Sequence, residues 1–341
     1  MVAQAARGRR NPDGIRPFRA ITDLRPVADL IALAFGDELD EAGRRALREM
    51  RWLAWVSPLL WLTNQVVPPG EGVLSGFVWV EEGRIVGNAS IRPFPPYGSG
   101  LPRPGGQGWL IGNVAVHPDY RRRGIGTALM EAAITFARQH GGAWVGLQVR
   151  ANNEAALRLY RRLGFREEGQ VIFLRRPPGA PPEALLTPSR LLRPARSGDQ
   201  RRIYHLARES WPDGLAWMAP VRPDPYRLDL WERLGDWLSG RRRSWWLWEQ
   251  GERLLAAVGV EVRRQRRASH RLRLLVAPSV RGQVEATLIA QGLTALTAAP
   301  GHPITIRLSH EDQPALELLQ GVGFEAVQTL IHMRLPLREI S

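Results

Sequence analysis

Neither cysteine nor lysine occurs anywhere in this 341-residue chain. The missing cysteine excludes a disulfide framework, a zinc–thiolate site and a cysteine nucleophile. The missing lysine excludes a Walker phosphate loop, which needs that side chain on the terminal phosphates. It also makes each of the 47 basic residues an arginine. Long apolar runs are lacking as well. The longest, Trp52–Leu62, is interrupted by Ser57 and Pro58 and falls short of the roughly 18 residues that suggest a membrane span. The first residues are basic, but no apolar stretch follows them as a signal peptide requires. The expectation is a cytoplasmic protein with no membrane partner.

What is present is ordinary for a folded protein: 44% hydrophobic and 23% charged residues. Single cores seldom exceed roughly 250–300 residues, so this length predicts two domains. The net charge of +14 favours anionic ligands in general. No nucleic-acid motif accompanies the arginine clusters Arg241–Arg243 and Arg263–Arg267, so nucleic acid is not an expected partner.

Local patterns divide the chain. Residues 1–13 read as a flexible tail, and Ile15–Arg19 as a strand. Leu24, Val27, Leu30, Ile31 and Ala34 then recur at helical spacing behind the caps Thr22 and Asp23. A second helix is expected over Leu39–Trp55. Leu74–Val80 and Ile85–Ile91 read as strands, Arg92–Gly108 as a loop, and Trp109–Val116 as a strand ended by Pro118. A helix follows over Gly124–His140 and stops at Gly141-Gly142. Next come a strand at Ala143–Val149, a helix at Asn152–Leu163 and a strand at Phe165–Leu174. The predicted domains are 14–175 and 190–341, joined by a Pro-rich linker over 176–189.

The second half repeats the first. Arg16-Pro17 recurs as Arg193-Pro194, Gly83 as Gly251, Pro118 as Pro278, and Gly164-Phe165 as Gly323-Phe324. The offset falls along the chain, so the second copy is the shorter.

The segment Arg121-Arg122-Arg123-Gly124-Ile125-Gly126-Thr127 lies between a strand and a helix start. Helix N-termini present unpaired N–H groups and partial positive charge, and glycine lets a phosphate approach the backbone. A diphosphate site follows from that chemistry. A dinucleotide fingerprint is not complete, because Leu129 stands where its last glycine belongs and no acid ends the next strand.

Taken with Val114-Ala115-Val116-His117-Pro118 and with Asn153–Tyr160 running on to Gly164-Phe165, this segment resembles the GNAT superfamily of N-acetyltransferases. The resemblance is close over about residues 15–174 and weak over about 190–337. It implies an α/β (α+β) fold: two tandem domains, each a mixed, mostly antiparallel twisted sheet flanked by helices. It implies acetyl-CoA as co-substrate, no metal, and direct transfer to an amine of a small molecule or peptide; a homodimer is left open. Carried over by position, Val114, Ala115 and Val116 resemble the strand that pairs with the pantetheine arm. Arg121, Arg122, Arg123, Gly124, Ile125, Gly126 and Thr127 resemble the pyrophosphate loop. Asn153 resembles the side chain that hydrogen-bonds near the cofactor, and Tyr160 the acid that protonates the departing thiolate.

The expected base is not identified. Trp109–Val116 has no carboxylate, and Asn113 stands where an acid would be plausible. Asp37, Glu38, Glu81 and ordered water are the candidates, while His117 reads as a turn residue. Trp52, Trp55, Trp61 and Trp79 are candidates for an aromatic acceptor wall, with core packing the favoured alternative. In the second copy Arg121 maps to Arg281, Gly124 to Val284, Gly126 to Ala286 and Tyr160 to Leu319, which predicts a disabled site. Leu147–Asn153 with Ala155-Ala156 also resembles enzymes that acetylate protein N-termini. An acyl-CoA sensor without turnover is the remaining alternative.

Overall fold

The computed structural model describes residues 13–36, 48, 75–95, 106–179, 191–218, 220–227, 235–236, 238–265, 268–297 and 301–337. Apart from residue 48, the helix expected over Leu39–Trp55 lies outside them, as do Asp37, Glu38, Trp52, Trp55 and Trp61. The chain forms two compact units. One comprises residues 1–148, 155–166 and 333–341, the other residues 149–154 and 167–332.

The first unit is built on strands β1 (Gly14–Pro17), β2 (Ser75–Glu81), β3 (Arg84–Phe94), β4 (Gly108–Val116) and β5 (Trp144–Arg150, as far as Gln148). They pair in that order, all antiparallel except β4 with β5, which run parallel. Successive strand residues face opposite ways, and a helix covers each face. Helix α1 (Ala20–Phe35) packs Val27, Ala28, Leu30 and Ile31 on Val78, Val80 and Ala115. Helix α2 (Ile125–Gln139) packs Ile125 and Leu129 on Val86 and Ala89, with Phe77 and Trp79 beside them. Gly87 admits α2 because a Cβ there would stand 2.8 Å from Ile125 Cγ2 and 2.9 Å from Leu129 Cδ1. Burying side chains of this size contributes about 1.5–3 kcal/mol each. Trp79 therefore belongs to core packing. Helix α3 (Glu154–Arg162) completes the first half of the chain.

The second unit contains β6 (Arg166–Arg176, from Glu167), β7 (Arg193–Pro194), β8 (Arg241–Gln250), β9 (Arg253–Arg263), β10 (His270–Val276) and β11 (Ile304–Ser309). Their order is β6-β11-β10-β9-β8-β7, antiparallel except for the parallel pair β10 and β11. Its helices are α4 (Gln200–Glu209), α5 (Asp213–Ala216), α6 (Glu285–Thr297) and α7 (Gln313–Gly321). Leu288, Ile289 and Leu293 of α6 share one core with Val258, Val260 and Leu272. Strand β12 (Glu325–Pro336) divides between the units after His332.

The units are not two successive blocks of chain. Strand β6, from the N-terminal half, pairs with β11 from Val171↔Ser309 to Arg176↔Ile304. Residues from Met333 onward count with the first unit, where Leu337 N donates to Ala143 O at 2.9 Å.

The repeated Arg-Pro has a structural purpose. In the first unit Arg16 grips Asp23 with two bonds of 2.6 and 2.9 Å, and Asp23 accepts from Arg19 N at the start of α1. The helix begins at Ala20, two residues before the expected caps, because the Asp23 carboxylate reaches back to the helix start from within the first turn. In the second unit Arg193 grips Asp199 at 2.8 and 2.9 Å, and Asp199 accepts from Arg196 N. Arg193 also pairs with Glu249 at 2.6 Å. The Arg193 bonds hold the Asp199 carboxyl down at about 2, against burial. A lowered folded-state pKa stabilises above the unfolded value of 3.8, and that gain disappears as pH falls through about 2. Asp199→Asn is expected to cost about 1–2 kcal/mol at neutral pH, with the difference closing near pH 2. Denaturant melts at both pH values check it; an equal gap at both would exclude the ion pair as the cause.

Candidate functional site

Strands β4 and β5 start as a regular parallel pair and then separate. Their ladder runs from Gly108↔Trp144 to Ile111↔Leu147 and stops there, although β4 continues to Val116. The separation coincides with a β-bulge. On β3, Asn88 pairs with Ala115 and Ser90 with Gly112, so Asn113 and Val114 together oppose Ala89. Asn113 takes a left-handed conformation, φ 52°, which a bulge accommodates and which asparagine tolerates better than most residues. The bulge is held from below. Asn88, 1% exposed, donates to Asn113 O at 2.9 Å. Beyond the bulge His117 N donates to Val86 O at 2.8 Å. Antiparallel alternation then turns the peptide groups of Val114 and Val116 toward the side that β5 has left.

A 3-10 turn at Pro118–Tyr120 follows, in which His117 Nδ1 accepts from Asp119 N at 3.3 Å. His117 is thus a turn residue. The three arginines diverge. Arg121 Nε donates to Val116 O at 3.2 Å. Arg122 is exposed at φ 66°. Arg123 pairs with Glu81 at 3.3 Å and lies 4.9 Å over the Tyr120 ring, so Glu81 is engaged as its counter-ion. Gly124 caps α2 at φ 81°, and among the described residues no side chain caps the N–H groups of that helix end. A Cβ on Gly124 would meet nothing within 4 Å. Gly126 is less constrained: its Cβ would make ordinary contact with Leu159 at 3.5 Å and Val116 at 3.8 Å. Ile125 is 2% exposed and belongs to the core, leaving only its backbone for a ligand. Thr127 is half-buried beside it.

Tyr160, on α3, is 6% exposed with its ring centroid 6.0 Å from that of Phe165. Burial raises its pKa to about 12. The segment 114–127 and Tyr160 fall in the first unit; Asn153 falls in the segment 149–154 of the second, with its N donating to Arg150 O at 3.0 Å. No group of three or more metal-ligating side chains occurs among the described residues.

The corresponding turn of the second unit is closed. Glu285, at the position of Ile125, accepts from Gly282 N at 2.8 Å and from Val284 N at 3.1 Å. It is 3% exposed. An internal carboxylate thus engages two backbone donors of the turn, at the positions of Arg122 and Gly124. Arg281 is engaged by Glu311 and Asp312 at 3.1 and 3.7 Å. Leu319, at the position of Tyr160, is fully buried.

Residues 41–165 match the model of the acetyltransferase (GNAT) family. Over that segment the chain is similar to the GNAT family. Two structures similar over nearly its whole length show the fold repeated in tandem or at similar size. A tandem GNAT protein of the clavulanic acid pathway is 17% identical, covers 96% of this chain and 99% of its own, and has a TM-score of 0.52. A GCN5-related N-acetyltransferase from Sphaerobacter thermophilus is 16% identical over 96% and 97%, with a TM-score of 0.56. Among curated proteins, a ribosomal-protein alanine N-acetyltransferase of Escherichia coli is 51% identical over 55 residues, 16% of this chain and 37% of the relative. A mycothiol acetyltransferase of Rhodococcus jostii is 29% identical over 154 residues, 44% of this chain and 45% of the relative. The matches therefore span less than half of either relative.

Sequence reasoning missed two residues. Asn88 is signalled only as a polar residue inside the apolar run Val86–Ile91, and Glu285 only as an acid in a helix first turn. Asn88→Ala removes the donor to the bulge carbonyl and is expected to cost about 1–3 kcal/mol. Denaturant unfolding checks this; an unchanged midpoint would mean that the bulge does not depend on Asn88.

Proposed function

We propose that this chain is an acetyl-CoA-dependent N-acetyltransferase whose first unit transfers the acetyl group directly to an amine. The observation that carries this reading is the contrast between the two turns. In the first, an αL glycine precedes helix N–H groups that no described side chain caps; in the second, Glu285 takes the N–H groups of Gly282 and Val284 in the turn that enters the helix. The first arrangement fits a diphosphate.

In this reading Gly124, Ile125, Gly126 and Thr127 hold the diphosphate through backbone N–H groups, with Arg121, Arg122 and Arg123 adding positive potential. Val114 and Val116 offer peptide groups to the pantetheine amides, with Ala115 fixing the strand to the core between them. Acetyl-CoA supplies a thioester carbonyl open to a neutral amine. The N–H of Val114 stabilises the oxygen on which negative charge develops. Tyr160 keeps its proton at neutral pH, since its pKa stands near 12, so it acts as donor and never as base. A thiol has a pKa near 8.5, so complete transfer from such a phenol is uphill. Its benefit lies in hydrogen-bonding the sulfur as the bond breaks. With Glu81 paired to Arg123 and no carboxylate on β4, water is the proton acceptor this reading favours.

The acceptor is an amine of a small molecule or of a peptide. The longer curated match, to a mycothiol acetyltransferase, favours a small molecule; the shorter and more identical one, to a ribosomal-protein alanine N-acetyltransferase, favours a peptide N-terminus. An amine and peptide panel scored by free-thiol release decides between them, and no release with any acceptor would favour an acyl-CoA sensor.

Calorimetry is expected to find one acetyl-CoA per chain. Gly124→Val should weaken it at least about tenfold while keeping the fold, because the new side chain has room but both strains the αL turn and enters the ligand's space. Two equivalent sites, or normal binding by the variant, would refute the assignment.

Tyr160→Phe keeps the ring and removes the proton. It is expected to lower kcat about tenfold to a hundredfold, the low end for general acid catalysis, with little change in acetyl-CoA affinity. Wild-type kcat under chemistry-limited conditions would remove Tyr160 from the mechanism.

A further inference from the structure

The second unit presents an unusual concentration of positive charge on one face of its sheet. On β10, Arg271 pairs with Glu261 and Arg273 with Gly259 of β9, and Arg271 pairs with Thr305 of β11. Paired residues share a face, and alternation adds Arg263 and Arg307 to it. Leu272, between the two arginines, faces the other way, against Gly292 of α6. Six guanidiniums on β8–β11 therefore share this face, because Arg241 and Arg243 of β8 pair with Arg263 and Glu261. Glu261 lies 2.6 Å from Arg263, 3.6 Å from Arg273 and 3.9 Å from Arg271, and Asp236 pairs with Arg241 and Arg243. Positive charge outnumbers negative among these groups.

Arg307 has no carboxylate partner among the described residues; its guanidinium lies 4.7 Å over the ring of Trp211. It is exposed to solvent, yet surrounding protein pulls its pKa down, as it does that of Arg273. Further along the same face lies an aromatic group. Trp245 lies over Gly259, Tyr226 sits 5.5 Å from Trp245, and Tyr204 6.2 Å from Tyr226. The β10–β11 ladder holds only His270↔Ile304 and Arg271↔Thr305, so Arg273 and Arg307 stand just past its last pair. They occupy the part of this unit that corresponds to the parting of β4 and β5 in the first.

We propose that the second unit binds a small phosphate-bearing molecule on this face, held by Arg273 and Arg307 beside the aromatic side chains of Trp211 and Tyr226. Like charges gathered on one face repel one another, and an oxyanion offsets that repulsion with short charge-assisted hydrogen bonds. An excess of positive charge matches a dianion better than a monoanion, which selects a phosphate monoester over a carboxylate. The Trp211 ring holds the Arg307 guanidinium in place, with its N–H groups as donors for phosphate oxygens. The closed turn at Glu285 leaves this copy without the backbone donors for a diphosphate, so the ligand differs from that of the first unit. The inference does not depend on whether the first unit transfers acetyl groups.

The test is calorimetric titration of the full-length chain with phenyl phosphate at low salt and about pH 8, where the phosphate is a dianion. The expected result is a saturable event that weakens at least about tenfold in an Arg273→Gln/Arg307→Gln variant and persists in Gly124→Val. Benzoate, a monoanion of similar shape, is expected to bind at least about tenfold more weakly. Because the substitutions remove mutual repulsion, the double variant should melt no lower than the parent chain. Absence of saturable binding, binding lost in Gly124→Val instead, equal affinity in the double variant, equal affinity for benzoate, or a collapsed melting transition in the double variant would each overturn the proposal.

Discussion

The parting of two parallel strands is the constraint on which the first unit depends. A β-sheet satisfies its peptide groups by pairing, and a strand that loses its neighbour exposes N–H and C=O groups in a row. Strand β4 is in that position beyond Ile111. It remains ordered because β3 holds it on the other side and because Asn88 secures the bulge at Asn113. The bulge sets the direction in which β4 leaves, and the turn at Pro118–Tyr120 brings the start of α2 to its end. The exposed peptide groups and the uncapped helix terminus thus arise from one backbone departure.

The same topology produces a different outcome in the second unit. There the parallel pair β10 and β11 is also short, but the helix terminus beside it is neutralised by a buried glutamate. The two turns differ at the position of Ile125: that side chain packs in the core, while Glu285 in its place takes the N–H groups of Gly282 and Val284. Both units keep the Arg–Asp grip that starts their first helix. The repeat therefore retains the interactions that build the fold and diverges in those that face a ligand.

Much of this was legible in the residues. Strand–helix alternation follows hydrophobic period, and the helix starting beside Gly124 and the strand ending at Pro118 follow from backbone chemistry that needs no tertiary context. Gly124 at φ 81° is the residue such a turn demands. The start of α1 was read two residues late, since the carboxylate that secures it lies within the helix and is positioned by Arg16 from a neighbouring strand. The fate of Trp79 likewise required knowing which face of β2 meets α2.

By itself the sequence determined most of the described elements, the repeat and the likeness to a family, because each rests on local periodicity or on residues close together in the chain. It also excluded thiol chemistry and lysine-dependent phosphate loops through what it lacks. The tertiary structure alone decided which half supplies each strand: β6 pairs with β11, and the end of β12 counts with the first unit. It alone decided that Asn88 holds Asn113, 25 residues away, and that Arg271, Arg273 and Arg307 share a face with Glu261. Those outcomes depend on strand register, and register is set by the pairing of segments far apart in the chain, where a shift of one residue turns every side chain to the opposite face.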